Sequence, residues 1–185
     1  MIEGKRIILR PLLPADAPIW AAWFNDPAVT EHMNKGTSPV TESRQVEFLA
    51  ELSNSRSDVQ FGIVVRRDSL LIGSIGIHQI DWIHRHGSIS ILLGNRDYWG
   101  KQFGTEAIGL VASHAFLKMN LHRLNAGMWS SNVVARSCFE KNGFQFEGAR
   151  KENYFHRNGY VDELCFGLLK NDWDLHIAAD TDWGQ

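Results

Sequence analysis

The chain has 185 residues, 44% of them apolar and 22% charged, with a formal net charge of −2. That make-up fits one globular domain with a substantial core and argues against a nucleic-acid binder, as no Lys/Arg run is longer than Arg66-Arg67. No apolar run approaches membrane-spanning length, and the residues Met1 to Arg6 lack the apolar stretch of a secretion signal, so no membrane partner and a cytoplasmic location are expected. The two cysteines, Cys138 and Cys165, sit among apolar neighbours and read as reduced thiols.

The predicted elements run as follows. Arg6 to Pro11 is a first strand ended by proline. Asp16 is placed to cap a helix with Ala17, Trp20, Ala21 and Phe24 on one face, stopped by Asn25-Asp26-Pro27. The loop from Thr30 to Pro39 is rich in polar chemistry. Thr41 starts a second helix whose inner side is read as Val46, Leu49, Ala50 and Leu52. Phe61 to Val65 and Leu70 to Ile80 form a hairpin. Asp81 to His86 links them to a strand at Gly87 to Leu93, so four antiparallel strands precede the stretch Trp99 to Ala107.

That stretch follows a strand and precedes a helical pattern of Ile108, Val111, Ala112, Ala115, Phe116 and Met119. A glycine-bearing turn at a helix N-terminus offers unpaired N–H groups, partial positive charge and close backbone approach, which together suit a phosphate. His122 to Trp129 is the next strand. Asn132 caps a short helix with Ala135, Cys138 and Phe139 on one face, and Asn142-Gly143 ends it. Phe144 to Ala149 and Tyr160 to Leu169 close the fold across Asn158-Gly159. Residues 1–173 are read as one domain, and 174–185 as a loose acidic tail.

The chain resembles the GCN5-related (GNAT) N-acetyltransferases over nearly all of its length, and its second half is the part most similar to one branch of them. The resembling residues are Tyr98-Trp99-Gly100-Lys101, Gly104-Thr105-Glu106-Ala107, Asn120-Leu121-His122-Arg123-Leu124, Asn132, Glu140-Lys141-Asn142-Gly143-Phe144, Glu147-Gly148 and Gly159-Tyr160-Val161-Asp162. The branch most similar contains acetyltransferases of ribosomal-protein N-termini, spermidine and nucleotide-linked amino sugars. The resemblance implies an α/β fold with a mixed, mostly antiparallel twisted sheet. A central V-shaped splay falls between the fourth and fifth predicted strands, and about four helices flank the sheet.

It also implies acetyl-CoA as co-substrate, with the pyrophosphate on the loop of Trp99, Gly100, Lys101, Gln102, Phe103, Gly104 and Thr105. The pantetheine arm is expected along Ile91, Leu92 and Leu93, with Asn132, Phe139 and Lys141 completing the cofactor site. Gln102 replaces the family's middle glycine, and with Gly100 and Gly104 present it is expected to avoid positive φ. The backbone N–H of Leu93 is the expected oxyanion donor.

The usual proton-transfer residues are missing. Phe139 stands where many relatives have a tyrosine acid, Ala135 where the ribosomal branch has serine, and Ser88 where relatives often have a glutamate base. His78 and Asp81 are the replacement base candidates, with His32 and Glu31 behind them. Glu31, His32, Trp82 and Tyr154 are read as lining the acceptor site. A small-molecule amine or a peptide N-terminus both fit, a homodimer is left open, and no metal is expected. An acyl-CoA-binding sensor without turnover is the rival reading.

Overall fold

A computed structural model describes residues 1–34 and 38–179 of the chain. Residues 35–37 of the expected acceptor loop and 180–185 of the expected tail lie outside the described residues. Eight strands form one sheet: β1 (Ile2–Glu3), β2 (Ile7–Pro11), β3 (Val59–Val65), β4 (Leu71–Asp81), β5 (His86–Leu93), β6 (Arg123–Trp129), β7 (Gln145–His156) and β8 (Gly159–Leu169). Their spatial order is β1-β2-β3-β4-β5-β6-β8-β7. Every neighbouring pair is antiparallel except β5 and β6. The two-residue β1 was not foreseen, so the fourth and fifth predicted strands are β5 and β6.

The helices are α1 (Ala17–Phe24), the single turn α2 (Pro27–Thr30), α3 (Glu42–Asn54), α4 (Phe103–Leu117), α5 (Val133–Glu140) and α6 (Lys170–Ala179). Parallel strands need a crossover, and α4 supplies it between β5 and β6. Its predicted face is buried as expected: Ile108, Val111, Ala112, Ala115 and Phe116 are all within 2% of full burial. They meet Ile75, Ile77, Ile89, Leu124 and Ala126 in the larger of two apolar clusters. On the opposite sheet face, α1 and α3 bring Trp20, Trp23 and Leu49 onto Val64, Leu71 and Leu92. A Cβ on Gly94 would lie 1.9 Å from the Trp23 ring, so glycine there lets α1 sit against the end of β5.

Three local expectations are corrected, and the expected stop of the first helix is borne out and extended. Asp16 occupies the cap position before α1 but accepts no capping bond from it; its carboxylate takes a two-point bond from Arg10 and the Leu13 N–H instead. A half-buried guanidinium-carboxylate fork outcompetes a cap, because two bonds between opposite charges exceed one bond from a neutral N–H to the same carboxylate. The buried side of α3 is Gln45 and Leu49, while Val46 and Ala50 face solvent, although Thr41 does cap it through the Arg44 N–H. Asp26-Pro27 ends α1 and also starts α2, with the Asp26 carboxylate accepting from the Ala28 N–H at 2.8 Å. The chain after Trp173 continues as α6 to residue 179 rather than loosening. Trp173 is 5% exposed with its ring 5.3 Å from Phe116, and burying such a ring contributes about 1.5–3 kcal/mol.

Candidate active site

The turn between β5 and α4 is held from three sides. The Trp99 indole N–H donates to the Leu93 carbonyl at 2.8 Å. Arg6 donates to the Lys101 carbonyl and to Glu106, and Glu106 in turn accepts from the Arg6 backbone N–H. The Asn142 amide bridges the Thr105 and Cys138 carbonyls, joining the first turn of α4 to the end of α5 beside Lys141. The first intrahelical bond of α4 runs from the Glu106 N–H to the Gln102 carbonyl. The N–H groups of Phe103, Gly104 and Thr105 therefore have no partner inside the helix. Cations crowd the turn: Arg6 lies over the Phe103 ring, Arg96 over Trp99 and Lys101 over Tyr98.

Gln102 overturns the expectation set for it. Its φ is +63° and its ψ 14°, the left-handed conformation that the family's glycine would adopt freely. An L-residue there costs about 1–2 kcal/mol. The tethers from Arg6, Trp99 and Asn142 hold the turn in spite of that strain. Gly100, with φ +72° and nothing within 4 Å of a Cβ position, faces open space.

The splay is visible in the register. β5 and β6 pair at His86, Gly87 and Ser88 and then separate. Ser90, Ile91, Leu92 and Leu93 stay bonded to β4 while their other edge is left without a strand. A backbone edge of this kind accepts an extended arm. The Ile91 and Leu93 side chains reach α4, 3.6 and 3.5 Å from where a Gly104 Cβ would stand, with the Cys138 sulfur at 3.9 Å. Asn132 caps α5 through the Ala135 N–H at 3.1 Å. Phe139 is 4% exposed and edge-on to Phe144 at 5.0 Å, a core residue with no proton to give.

The two base candidates separate sharply. Asp81 ends β4, where it accepts the N–H groups of Ile83 and His84 and the His84 ring from the β4–β5 connection. These bonds, the His84 backbone first, hold its carboxyl down at about 2, which makes it a poor base at neutral pH. Ligand atoms of Asp81, His84 and His86 lie within 4.8 Å of one another at this exposed corner.

His78 is organised differently. Its Nδ1 meets Asp58 Oδ1 at 3.2 Å and its Nε2 meets Ser90 Oγ at 2.8 Å. Asp58 also accepts from the Ser55 and Ser57 hydroxyls and the Gln79 N–H. Burial pushes the Asp58 carboxyl up, but these bonds outweigh it and hold the group below the usual carboxylate range. Gln79 sits at φ +52°, inside the bulge between His78 and Asp81 that turns its N–H onto Asp58.

The acceptor candidates also divide. Glu31, His32 and Tyr154 come together, and Trp82 does not: its indole donates to the Arg56 carbonyl beyond the β4–β5 corner. His32 lies edge-on to Trp129 and stacked with His156, while Trp129 stacks on Tyr154 at 5.2 Å. Burial depresses the His32 imidazole below its ordinary value, and burial with Glu163 raises the Tyr154 phenol. Glu31 is not free to meet a cation, because Arg157 at the β7–β8 turn holds it at 2.5 Å. Glu163 is likewise bound by Arg150 and Asn153. Sequence reasoning missed Asp58, Ser90 and Trp129. Only the alternation of β5, which puts Ser88, Ser90 and Leu92 on one face, could have hinted at Ser90.

A parallel fork beside an open helix N-terminus defines an acyl-CoA-dependent transferase fold, and comparison with known proteins fixes the family. The model of the acetyltransferase (GNAT) domain matches residues 6–145, and the chain belongs to that family. It is an acetyl-CoA-dependent N-acetyltransferase. It is similar to an uncharacterised N-acetyltransferase, p20, of Bacillus licheniformis: 28% identical over 173 residues, covering 91% of this chain and 96% of that protein. Spermidine N(1)-acetyltransferase of Vibrio cholerae is 29% identical over 103 residues, 56% of this chain and 59% of that protein. The crystal structure of a Vibrio cholerae spermidine N-acetyltransferase with CoA and spermine shares the fold. Its TM-score is 0.84 at 20% identity, covering 92% of this chain and 99% of that one.

Proposed function

We propose that the enzyme moves the acetyl group directly to the primary amine of a small molecule or a peptide N-terminus, both substrates being bound together. The observation that carries this is the fork after Ser88, which leaves the edge of Ile91 to Leu93 open beside the unpaired N–H groups of α4. Those N–H groups and the cations around them suit the pyrophosphate of acetyl-CoA, and the open edge suits its pantetheine arm. Acetyl-CoA supplies the thioester; the Leu93 N–H is the proposed donor to the oxygen on which charge builds. His78 is proposed to hold the proton that leaves the amine, and Asp81 drops out.

The aromatic set His32, Trp129, Tyr154 and His156 forms the proposed acceptor wall. Because Glu31 and Glu163 are already bound by Arg157 and Arg150, little negative charge is left for a polycation. A monoamine or peptide N-terminus fits this wall better than a polyamine, although one named relative acts on spermidine. We also propose a cytoplasmic, metal-independent enzyme within a single domain; among the described residues no helix is long and apolar enough to cross a membrane. The test is thiol release from acetyl-CoA with spermidine, glucosamine, single amino acids and short peptides, beside acetyl-CoA calorimetry. Faster turnover of a peptide or monoamine than of spermidine is expected. Tight acetyl-CoA binding with no thiol release from any amine would overturn the transfer reading.

A further inference from the structure

The family's usual glutamate position is Ser88 here, and the described residues put a different device two positions along the same strand face. Ser90 is the next side chain on that face beyond the last β5–β6 pair, and it is exposed although its strand is central. Its Oγ touches His78 Nε2, and His78 Nδ1 touches Asp58. Asp58 offers only acceptor atoms when ionised, so the proton between it and His78 belongs to Nδ1. Nε2 is then the bare nitrogen, and the Ser90 hydroxyl donates to it. That arrangement leaves the lone pairs of the exposed Ser90 Oγ free to accept a further hydrogen bond.

We propose that Ser90 is the group that meets the acceptor amine, and that His78 and Asp58 act through it as a proton relay. This rests on the transfer reading above. The ammonium N–H bond breaks as an Oγ–H bond forms; the original Oγ–H bond breaks as a bond to Nε2 forms. The amine becomes neutral and Ser90 is unchanged. The imidazolium beside Asp58 later returns its proton to water. Ser90 is the catalytic residue, and His78 and Asp58 are positioning and storage groups. The arrangement is built rather than incidental, since four donors converge on Asp58 and the bulge at Gln79 exists to aim one of them.

The experiment has two arms on the full-length enzyme. The first uses the most active amine of the panel of spermidine, glucosamine and an alanine-terminated peptide. Removing one relay member is expected to lower kcat roughly 100–1,000-fold for Ser90→Ala, within the range of general base effects, with acetyl-CoA affinity unchanged. Ser90→Thr, which keeps the hydroxyl, recovers most of it. The pH profile of kcat should lose its lower limb in His78→Gln. Asp58 is the titratable group facing that ring in hydrogen-bond contact, while β5 presents Ser88 and Ser90.

The second arm needs no turnover: nitrogen NMR of the His78 ring should show a protonated Nδ1 and a bare Nε2, and Asp58→Asn should disturb that tautomer. An Nε2-protonated ring, or full kcat in Ser90→Ala, overturns the relay while leaving acetyl transfer standing. A wild-type enzyme that binds acetyl-CoA but acetylates no amine overturns the transfer reading, and with it the relay.

Discussion

The proposed donor side and the proposed acceptor side of the fork are made from different materials. The donor side is backbone: the open edge of β5 and the first turn of α4, both supplied by one continuous segment from Ile91 to Thr105. The acceptor side is side chains gathered from far apart, with Asp58, His78 and Ser90 in one group and His32, Trp129, Tyr154 and His156 in another. Backbone donors survive changes of residue, provided the conformation is kept. Gln102 shows this, adopting the left-handed geometry at a cost while the N–H groups stay in place. Side-chain chemistry has no such tolerance: with Phe139 and Ser88 at the usual acid and base positions, the proton must be taken up by a different group, proposed above as the Ser90–His78–Asp58 relay.

The sharpest way to break the contrast is to fill the donor side. Gly104 is buried in the first turn of α4, with Leu93, Ile91 and Cys138 closing around its missing Cβ. Gly104→Ala adds a Cβ at ordinary contact distance and should bind acetyl-CoA much as the wild type does. Gly104→Trp should abolish binding in calorimetry, a loss on the order of 100-fold or more, since overpacking displaces the turn. A melting curve separates this from unfolding. Unchanged affinity in a folded Gly104→Trp would remove the pyrophosphate from this turn.

A middling effect is expected on the acceptor side. Arg157→Ala frees Glu31 from an exposed pair, which contributes about 0–1 kcal/mol. The stability change should be small. The freed carboxylate should lower the KM for spermidine by roughly 2–5-fold, the equivalent of that energy, without altering acetyl-CoA affinity. A change in acetyl-CoA affinity instead would show that the two sides are not independent.

The same contrast explains what could be read from the chain beforehand. α4, the crossover and the loop were legible because they lie in one stretch whose apolar period and glycines carry the signal, as Ile108 to Phe116 and Gly100 show. The conformation of Gln102 was not legible, since the tethers that impose it come from Arg6 and Asn142, about a hundred and forty residues apart in origin. Asp58 was not singled out from the sequence, where it follows Ser53, Ser55 and Ser57. Its partnership with His78 depends on the β3–β4 register and on a bulge, neither of which leaves a mark in the local pattern. Trp82 and Asp81 were misplaced for the converse reason: nearness in sequence to the acceptor strands put them at a corner whose own hydrogen bonds consume them.

Gln102→Gly tests the tolerance of the donor side directly. It removes about 1–2 kcal/mol of left-handed strain and adds about 0.5–1 kcal/mol of unfolded-state freedom. The expected net is a gain of roughly 0.5–1 kcal/mol, seen as a rise in Tm of about 1–4 °C, with acetyl-CoA affinity within a factor of about two. A drop in affinity would mean that the Gln102 side chain itself contacts the co-substrate.

The smallest effect concerns acid stability, and it singles out the acceptor side. The Asp58 carboxyl is held below its unfolded value, so the contribution it makes is complete above the ordinary carboxylate range. It is lost as the pH falls through the lower, folded value, because protonation ends the acceptor role toward Ser55, Ser57, Gln79 and His78. Asp58→Asn cannot lose what it never had. Denaturant midpoints of the two proteins should therefore differ most near neutral pH and converge over the acid interval below the ordinary carboxylate range. Parallel curves over that interval would mean that Asp58 titrates as it does in the unfolded chain, and that the hydrogen bonds converging on it do not hold the charge that orients His78.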